Sequence, residues 1–445
     1  MAVLMLSVFT VSIGYGVVLP LLPDLIERLL GAGSDPGQVA RSTGLLTALY
    51  TLSLFLFAPA WGWLSDRYGR RTILLIGLIG FSATMLTFAF IENLIAVYAE
   101  RFLSGIFAAA VTPVALAAIG DLAVTEEGRA HRLSFVSLAG ISGFLLGPMM
   151  GVLVARSAGD IFSLGGSAGA LALPLAGTAI LALLVAASAA FTLPDTKAGE
   201  PATKRRPADA SARWLIPRLF CLAFIVSAAV GVFEVGLALR AKQELGLSQY
   251  QIALMFTECS LVMLVAQAIV FSPWIKPRST RWLIAPALVV LAVGLFLVPR
   301  ASDFALMLVV IGAVAASAGI LSPILTYWIS SKAGKAQGVE LGKQTAAASL
   351  GVTVGSAAGG LLFSVAWLPN ASFLLITAMT LLGLLMSLGL PKLLWTRPPG
   401  DAIGGSAVEA PAAGSVHEAK RMETGAPPSH RSQRVISARR PSFGS

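Results

Sequence analysis

Residues 62–71 read GWLSDRYGRR, and this short charged turn links two apolar runs free of Asp, Glu, Lys, Arg and His, residues 43–64 and 72–91. Each run has the ~20 residues that an α-helix needs to cross the ~30 Å hydrocarbon core of a bilayer. Asp66, Arg67, Arg70 and Arg71 are too costly to follow them into lipid. The stretch therefore reads as two membrane helices joined outside the core, with Gly62 and Gly69 giving the backbone freedom for a tight turn.

Working outward, similar runs recur at residues 2–22, 94–119, 133–154, 169–191, 215–239, 251–272, 282–298, 304–329, 345–367 and 372–390, twelve in all. Composition agrees. Hydrophobic residues make up 56% of the chain and charged residues 12%, where a soluble domain carries about 25% charge; mean hydropathy is +0.82. Lipid offers no partner for backbone polar groups, so only helices and closed barrels span it. Barrel strands would be about ten residues of alternating polarity, and these runs neither alternate nor stop so soon. The expected fold is an all-α membrane protein of twelve transmembrane helices in two pseudo-symmetric six-helix bundles.

An even number of spans puts both termini on one side. Loops on that side hold Arg67, Arg70, Arg71, Arg129, Arg132, Lys204, Arg205, Arg206, Lys276, Lys332 and Lys335 among others, whereas the opposite loops hold only Arg28, Arg41, Arg156, Arg240, Lys242 and Arg300. The positive-inside rule makes both termini cytoplasmic. The formal net charge of +10 is thus mainly a topology signal, spread over short loops rather than gathered into a nucleic-acid footprint. The first run lacks the basic lead and cleavage site of a signal peptide and reads as a span. The expected location is the cell inner membrane or an internal membrane continuous with it.

Residues 194–213 (PDTKAGEPATKRRPADASAR) are charged, Pro/Ala-rich and poor in large apolar side chains, the composition of a linker. The expected organisation is a six-helix bundle over 1–192, a cytoplasmic linker over 193–214, a second bundle over 215–391 and a disordered basic tail over 392–445. The halves carry faint internal similarity. GRA at 128–130 has a counterpart in GKA at 334–336, and WLSDRYGRR after span two has a decayed one in WIKPRSTR after span eight. Such correspondence at matching span numbers fits a parallel duplication.

The turn at 62–71 resembles the loop signature of major facilitator transporters, G-x-L-x-D-R-x-G-R-R/K, through Gly62, Leu64, Asp66, Arg67, Gly69, Arg70 and Arg71. The resemblance implies that Asp66 and Arg70 help lock the halves in the outward-facing state, with Asp121 at the end of span four as acidic partner. RFLSG at 101–105 puts Arg101 well inside span four, and the family pattern assigns that position to proton coupling or gating. Glu100 adjoins it, but neighbouring helix residues point about 100° apart, so the two need not pair. In span five, GISGFLLGPMMG carries Gly140, Gly143, Gly147, Pro148 and Gly151. The last three glycines recur every four residues and make a smooth face for close helix packing, while Pro148 is placed to bend the helix. This resembles the G-x-x-x-G-P-x-x-G-G signature of drug:proton antiporters, departing from it at Val152. GYGVVLPLLP at 14–23 is similar to the first helix of the twelve-span, tetracycline-efflux-like group. Many exporters of that kind carry an acid within span one, and here none occurs before Asp24.

A carboxyl inside a membrane helix is a functional candidate by default. Three qualify: Glu258 near the middle of span eight, Glu234 in the outer third of span seven and Glu100 in the outer half of span four. Withdrawing a carboxyl from water favours its neutral form, which suits cyclic protonation. Glu258 or Glu234 is the expected proton carrier, with Arg101 and Glu100 as further coupling candidates. Gln344, Thr345, Ser349, Thr353 and Ser356 in span eleven, with Tyr15, Phe233, Phe256, Tyr327 and Trp328, offer a mixed polar and aromatic path.

The chain has no G-x-x-x-x-G-K-[ST] loop to draw on ATP. His131 is the one histidine outside the tail, and Cys221 and Cys259 fall inside spans as small apolar residues. No cofactor, metal or catalytic residue is expected. The preferred function is proton-coupled export of a small amphipathic or lipophilic compound by alternating access. The partners are a small-molecule substrate, protons and the bilayer, with no nucleic acid, and the protein is expected to be a monomer. Two alternatives stay open: the same fold carrying a metabolite, siderophore, iron or other metal species, and a non-transporting membrane sensor or assembly factor.

Overall fold

The computed structural model describes residues 1–394 except 32, 123–125, 162–166, 195–211, 271, 273–276, 334–336, 364, 366, 367 and 369. Residues 395–445 of the expected tail over 392–445, and most of the linker over 193–214, lie outside the described residues. Among the described residues every regular element is helical. Twelve long helices follow in order: α1 Ala2–Leu30, α2 Pro36–Tyr68, α3 Arg70–Phe88, α4 Leu94–Leu122, α5 Glu126–Ile161, α6 Ser167–Thr192, α7 Ala212–Leu239, α8 Gln249–Val270, α9 Ile284–Leu297, α10 Phe304–Ala333, α11 Gln337–Leu361 and α12 Ala371–Ser387.

The apolar runs locate these helices, but several helices outrun them. α1 tightens into a 3-10 turn at Leu19–Leu21 and then continues as an amphipathic segment, Leu22–Leu30, carrying Asp24, Glu27 and Arg28. α2 begins seven residues before its expected span. Asp35 caps it, its two carboxylate oxygens accepting from the amides of Gly37 (3.1 Å) and Gln38 (3.2 Å), with Pro36 in the first turn where its missing N–H costs nothing. α11 starts eight residues before the expected 345 and ends six before the expected 367. Its first turns hold Glu340 and Lys343, an exposed i,i+3 pair 2.8 Å apart that belongs at a membrane surface.

The helices pack as two similar bundles. α1 lies on α5 and α6, α2 on α4, and α3 on α4 and α6; six helices later, α7 lies on α11 and α12, α8 on α10, and α9 on α10 and α12. The buried apolar side chains divide in the same way. One cluster runs from Leu4 to Ala189 through Leu46, Leu78, Phe81 and Ile119. The other runs from Leu215 to Leu394 through Phe256, Leu288, Ile311 and Phe373, and takes in Leu19 of α1.

Glycine faces set the spacing inside each bundle. A Cβ on Gly143 would lie 2.4 Å from Phe9 O, one on Gly147 2.7 Å from Ile13 O, and one on Gly151 3.2 Å from Val17 Cγ1. In the other bundle a Cβ on Gly351 would meet Phe224 O at 2.5 Å, one on Gly355 Ala228 O at 2.2 Å, and one on Gly359 Val232 Cα at 3.3 Å. Phe9, Ile13 and Val17 thus match Phe224, Ala228 and Val232 in order and spacing, and Gly16 and Gly231 complete the match from the α1 and α7 sides. Lipid gives helices no hydrophobic drive to associate, so bare backbone at the contact is what permits such close approach. Pro148 lies inside α5 on the same face, its Cδ 3.1 Å from the position of a Gly16 Cβ.

The bundles meet along α2–α11 and α5–α8. At α2–α11 the approach is backbone to backbone: a Cβ on Gly44 would stand 2.5 Å from Gly360 Cα. The contact is sealed nearby by Ala40, Val235 and Leu239, with Phe363 against them.

Candidate functional site

The seam between the bundles brings together side chains far apart in the sequence. Tyr15 of α1 donates its hydroxyl to Glu234 Oε2 of α7 at 2.7 Å, and Glu234 is 9% exposed. Tyr15 is held between two rings of its own bundle, Tyr50 at 5.4 Å and Phe144 at 5.7 Å between centroids, with interplanar angles of 23° and 28°. Parallel-offset pairs of this kind are favourable arrangements and hold the ring in place. Next to Tyr50 in α2, Thr51 accepts a hydrogen bond from Thr353 of α11 at 3.0 Å.

Behind Tyr50 lies the charged pair of α4. Arg101 donates from Nε and Nη2 to Glu100 Oε2 and Oε1 at 2.7 and 3.0 Å, and each side chain is 3% exposed. The two do pair, although adjacent helix positions diverge, because an unpaired charge in a dry interior costs more than bending two side chains together. The guanidinium also lies over Phe88, 4.3 Å from the ring centroid, and 5.7 Å from that of Tyr50, each a cation–π contact. Gly105, one turn on, lets α4 close on α2: a Cβ there would be 2.5 Å from Tyr50 O.

Glu258 sits elsewhere. It projects from α8 toward α10, where a Cβ on Gly312 would be 2.9 Å from its Oε1. Its Oε2 is enclosed and has no hydrogen-bond partner among the described residues. Gln344 donates to Thr326 Oγ1 at 2.6 Å inside the second bundle.

At the turn over 62–71, Gly69 has φ +96°, a conformation that favours glycine, and its amide closes α2 on Ser65 O at 3.1 Å. Asp66 forms an ion pair with Arg70, which also donates to Ser65 Oγ at 2.5 Å. Arg71 donates to Ala190 O of α6, and Arg67 lies over Trp63 and Tyr68. Gly62 lies inside α2 and not in the turn as expected, and a Cβ there would meet nothing within 4 Å. Asp121 lies in the last turn of α4, and its side chain is outside the described residues.

The opposite end carries a second cross-bundle cluster, which sequence reasoning missed. α7 ends in a π turn, Arg240–Glu244, whose side chains divide between the bundles. Arg240 pairs with Glu244 and donates to Ala301 O at 3.0 Å within its own bundle. Lys242 pairs with Asp24, and Gln243 donates to Pro36 O at 3.2 Å, both in the other bundle. Gln249 adds a bond to Asp24 Oδ2 at 2.9 Å. The one advance signal was that Asp24, Glu27 and Lys242 bear opposite charges in loops on the same side.

The sequence profile of the Major Facilitator Superfamily matches residues 4–339 and, in a second match, residues 219–415. The chain belongs to that superfamily. It is a multi-pass membrane transporter and not an enzyme. It is 26% identical over 373 residues to multidrug resistance protein 2 of Bacillus subtilis (strain 168), covering 82% of this transporter and 88% of that one. It is 27% identical over 367 residues to the quinolone resistance protein NorA of Staphylococcus aureus (strain COL), covering 82% and 89%. Among solved structures, the human organic anion transporter MFSD10 (TETRAN) superposes with a TM-score of 0.64 at 21% identity, over 87% of this chain and 98% of that one. A bacterial homologue of the human lysosomal transporter Spinster, in an inward-facing and unoccupied conformation, gives 0.66 at 13% identity over 88% and 96%. Both likenesses concern the fold.

Proposed function

We propose that this transporter exports small lipophilic cations or amphipathic compounds from the cytoplasm in exchange for protons, with Glu234 as the carboxylate that proton and cargo use in turn. The Tyr15–Glu234 hydrogen bond carries the reading. It is a buried acid on one bundle, bonded to a group on the other, so its surroundings change whenever the bundles move apart. An acid in that position can take a proton in one state and release it in another, which is what coupling requires. The aromatic cluster of Tyr15, Tyr50 and Phe144 beside it suits a greasy cation. Relatives named for multidrug and quinolone resistance support export of such compounds.

The moving units in this reading are residues 1–192 and 215–391, joined by the linker over 193–214, with 392–445 as a tail. The basic loops put the end that bears residues 62–71 in the cytoplasm. The cluster of Asp24, Lys242 and Gln249 then closes the outer face, the arrangement expected of a cytoplasm-open state. Asp66, Arg70 and Asp121 act in the opposite conformation, when the cytoplasmic ends approach. Arg101 and Glu100 hold Tyr50 and, through it, Tyr15 in register; Glu258 is a second ionisable group within the other bundle.

The test is substrate-driven proton movement in proteoliposomes, read with a pH-sensitive dye over a panel of lipophilic cations, tetracyclines, phenicols, sugars, siderophores and ferrous iron. Proton flux tied to cations or amphipathic drugs supports the reading. Flux with sugars or metal species alone, or silence across the panel, overturns it.

A further inference from the structure

Glu234 is occupied in the conformation described, and what occupies it is a neutral donor, the Tyr15 hydroxyl. The bond is charge-assisted when Glu234 is ionised, and such bonds are about twice as strong as neutral ones. Tyr15 cannot swing aside, because Tyr50 and Phe144 stack on it from its own bundle. Glu234 has more rotatable bonds and is not held between rings, so the carboxylate is the partner that moves. The other ionisable groups in electrostatic reach are Tyr50 and Arg101 on the Tyr15 side, and Cys259 with its neighbour Glu258 on α8. Arg101 is already paired to Glu100, so Glu234 has no cation of its own among these groups.

We propose that Tyr15 is a specificity-determining residue that serves as a placeholder for cargo: its hydroxyl fills Glu234 in the cytoplasm-open conformation, and a cationic substrate must displace it to bind. This rests on the reading of Glu234 as the transport carboxylate. Two consequences follow from one bond. Before loading, the hydroxyl gives the buried carboxylate a hydrogen-bond partner. At loading, it competes with cargo, so only a ligand that offers a full positive charge gains by replacing it. A bond of this position cannot be a permanent staple, since Tyr15 and Glu234 belong to bundles that separate during the cycle.

Tyr15→Phe keeps the ring and both stacks and removes only the donor. Equilibrium binding of tetraphenylphosphonium to purified protein, and its proton-driven transport in proteoliposomes, are measured side by side for wild type, Tyr15→Phe and Glu234→Gln. The proposal expects Tyr15→Phe to bind the cation at least about threefold more tightly, the size of one lost competing hydrogen bond. A packing role alone would weaken binding or leave it unchanged. Unchanged or weaker binding by Tyr15→Phe, with Glu234→Gln inactive, overturns the placeholder and leaves Glu234 as the transport site. Wild-type activity in Glu234→Gln, or no transport of the cation by wild type, removes the underlying reading and the placeholder with it.

Discussion

Lys242 pairs with Asp24 and stands 3.7 Å from Glu27 Oε2, so one ammonium at the end of α7 holds two carboxylates at the end of α1. Lys242 reaches them because the π turn rotates it away from Arg240, which stays tied to its own bundle. The cluster is a latch across one mouth of the transporter. Partly exposed pairs contribute roughly 0.2–1 kcal/mol each, and the Lys242 side chain is 34% exposed. Lys242→Ala is therefore expected to move the closed-to-open ratio at that mouth by about two- to fivefold toward open. Distance distributions between spin labels at Ser34 and Ser248 report the change. An unaltered distribution would mean that Gly44 and Gly360, and not the charges, hold the mouth shut.

The glycine faces give a second expectation. A Cβ at Gly355 would lie 2.2 Å from Ala228 O, and one at Gly143 2.4 Å from Phe9 O, both immovable backbone atoms. Gly355→Ala and Gly143→Ala should each cost about 1–3 kcal/mol through overpacking, visible as a lower unfolding temperature in detergent. Gly62→Ala, where nothing lies within 4 Å, is the control and should unfold with wild type. Equal stability of all three would show that the bundles repack freely at these contacts.

Arg101 and Glu100 are expected to behave as a unit. Removing one member of a buried pair leaves an uncompensated charge and costs about 3–5 kcal/mol. Arg101→Gln should therefore be severely destabilised, whereas the double replacement Glu100→Gln with Arg101→Gln should recover much of the loss. A double-mutant cycle on unfolding in detergent measures the coupling. Additive losses would contradict the pairing.

Asp66 separates stability from motion. Its side chain is 55% exposed, so the ion pair with Arg70 contributes at most about 1 kcal/mol to the conformation described. Asp66→Asn should unfold within a few degrees of wild type yet transport at least about tenfold more slowly, if the carboxylate is needed when the cytoplasmic ends close. Wild-type transport rates would show that the turn is only a topological signal.

Much of this architecture is legible in the sequence because lipid leaves a chain few choices. The turn at 62–71 and its two apolar neighbours already define a helical pair, and counting further runs reaches all twelve helices. The errors fall where polar residues extend a helix into the membrane surface. Leu22–Leu30 carries Asp24, Glu27 and Arg28 and so looks like loop, and Glu340 and Lys343 hide the start of α11 from a hydropathy window. The candidate acids could be named in advance, but not ranked. Tyr15 and Glu234 are 219 residues apart, and their meeting depends on how far α1 slides against α7 along the seam, which no local pattern encodes. Glu258, near the middle of span eight, and Glu234, in the outer third of span seven, are both candidates for the proton; packing turns Glu258 toward Gly312 and leaves the seam to Glu234.

The most direct test of the central claim is proton release on cargo binding. Wild type, Glu234→Gln and Glu258→Gln are purified in weakly buffered detergent near neutral pH, and tetraphenylphosphonium is added while pH is recorded. If proton and cargo share Glu234, wild type and Glu258→Gln release protons as the cation binds, and Glu234→Gln releases none. Release from Glu234→Gln equal to that of wild type would contradict the account and put the coupling proton on another group.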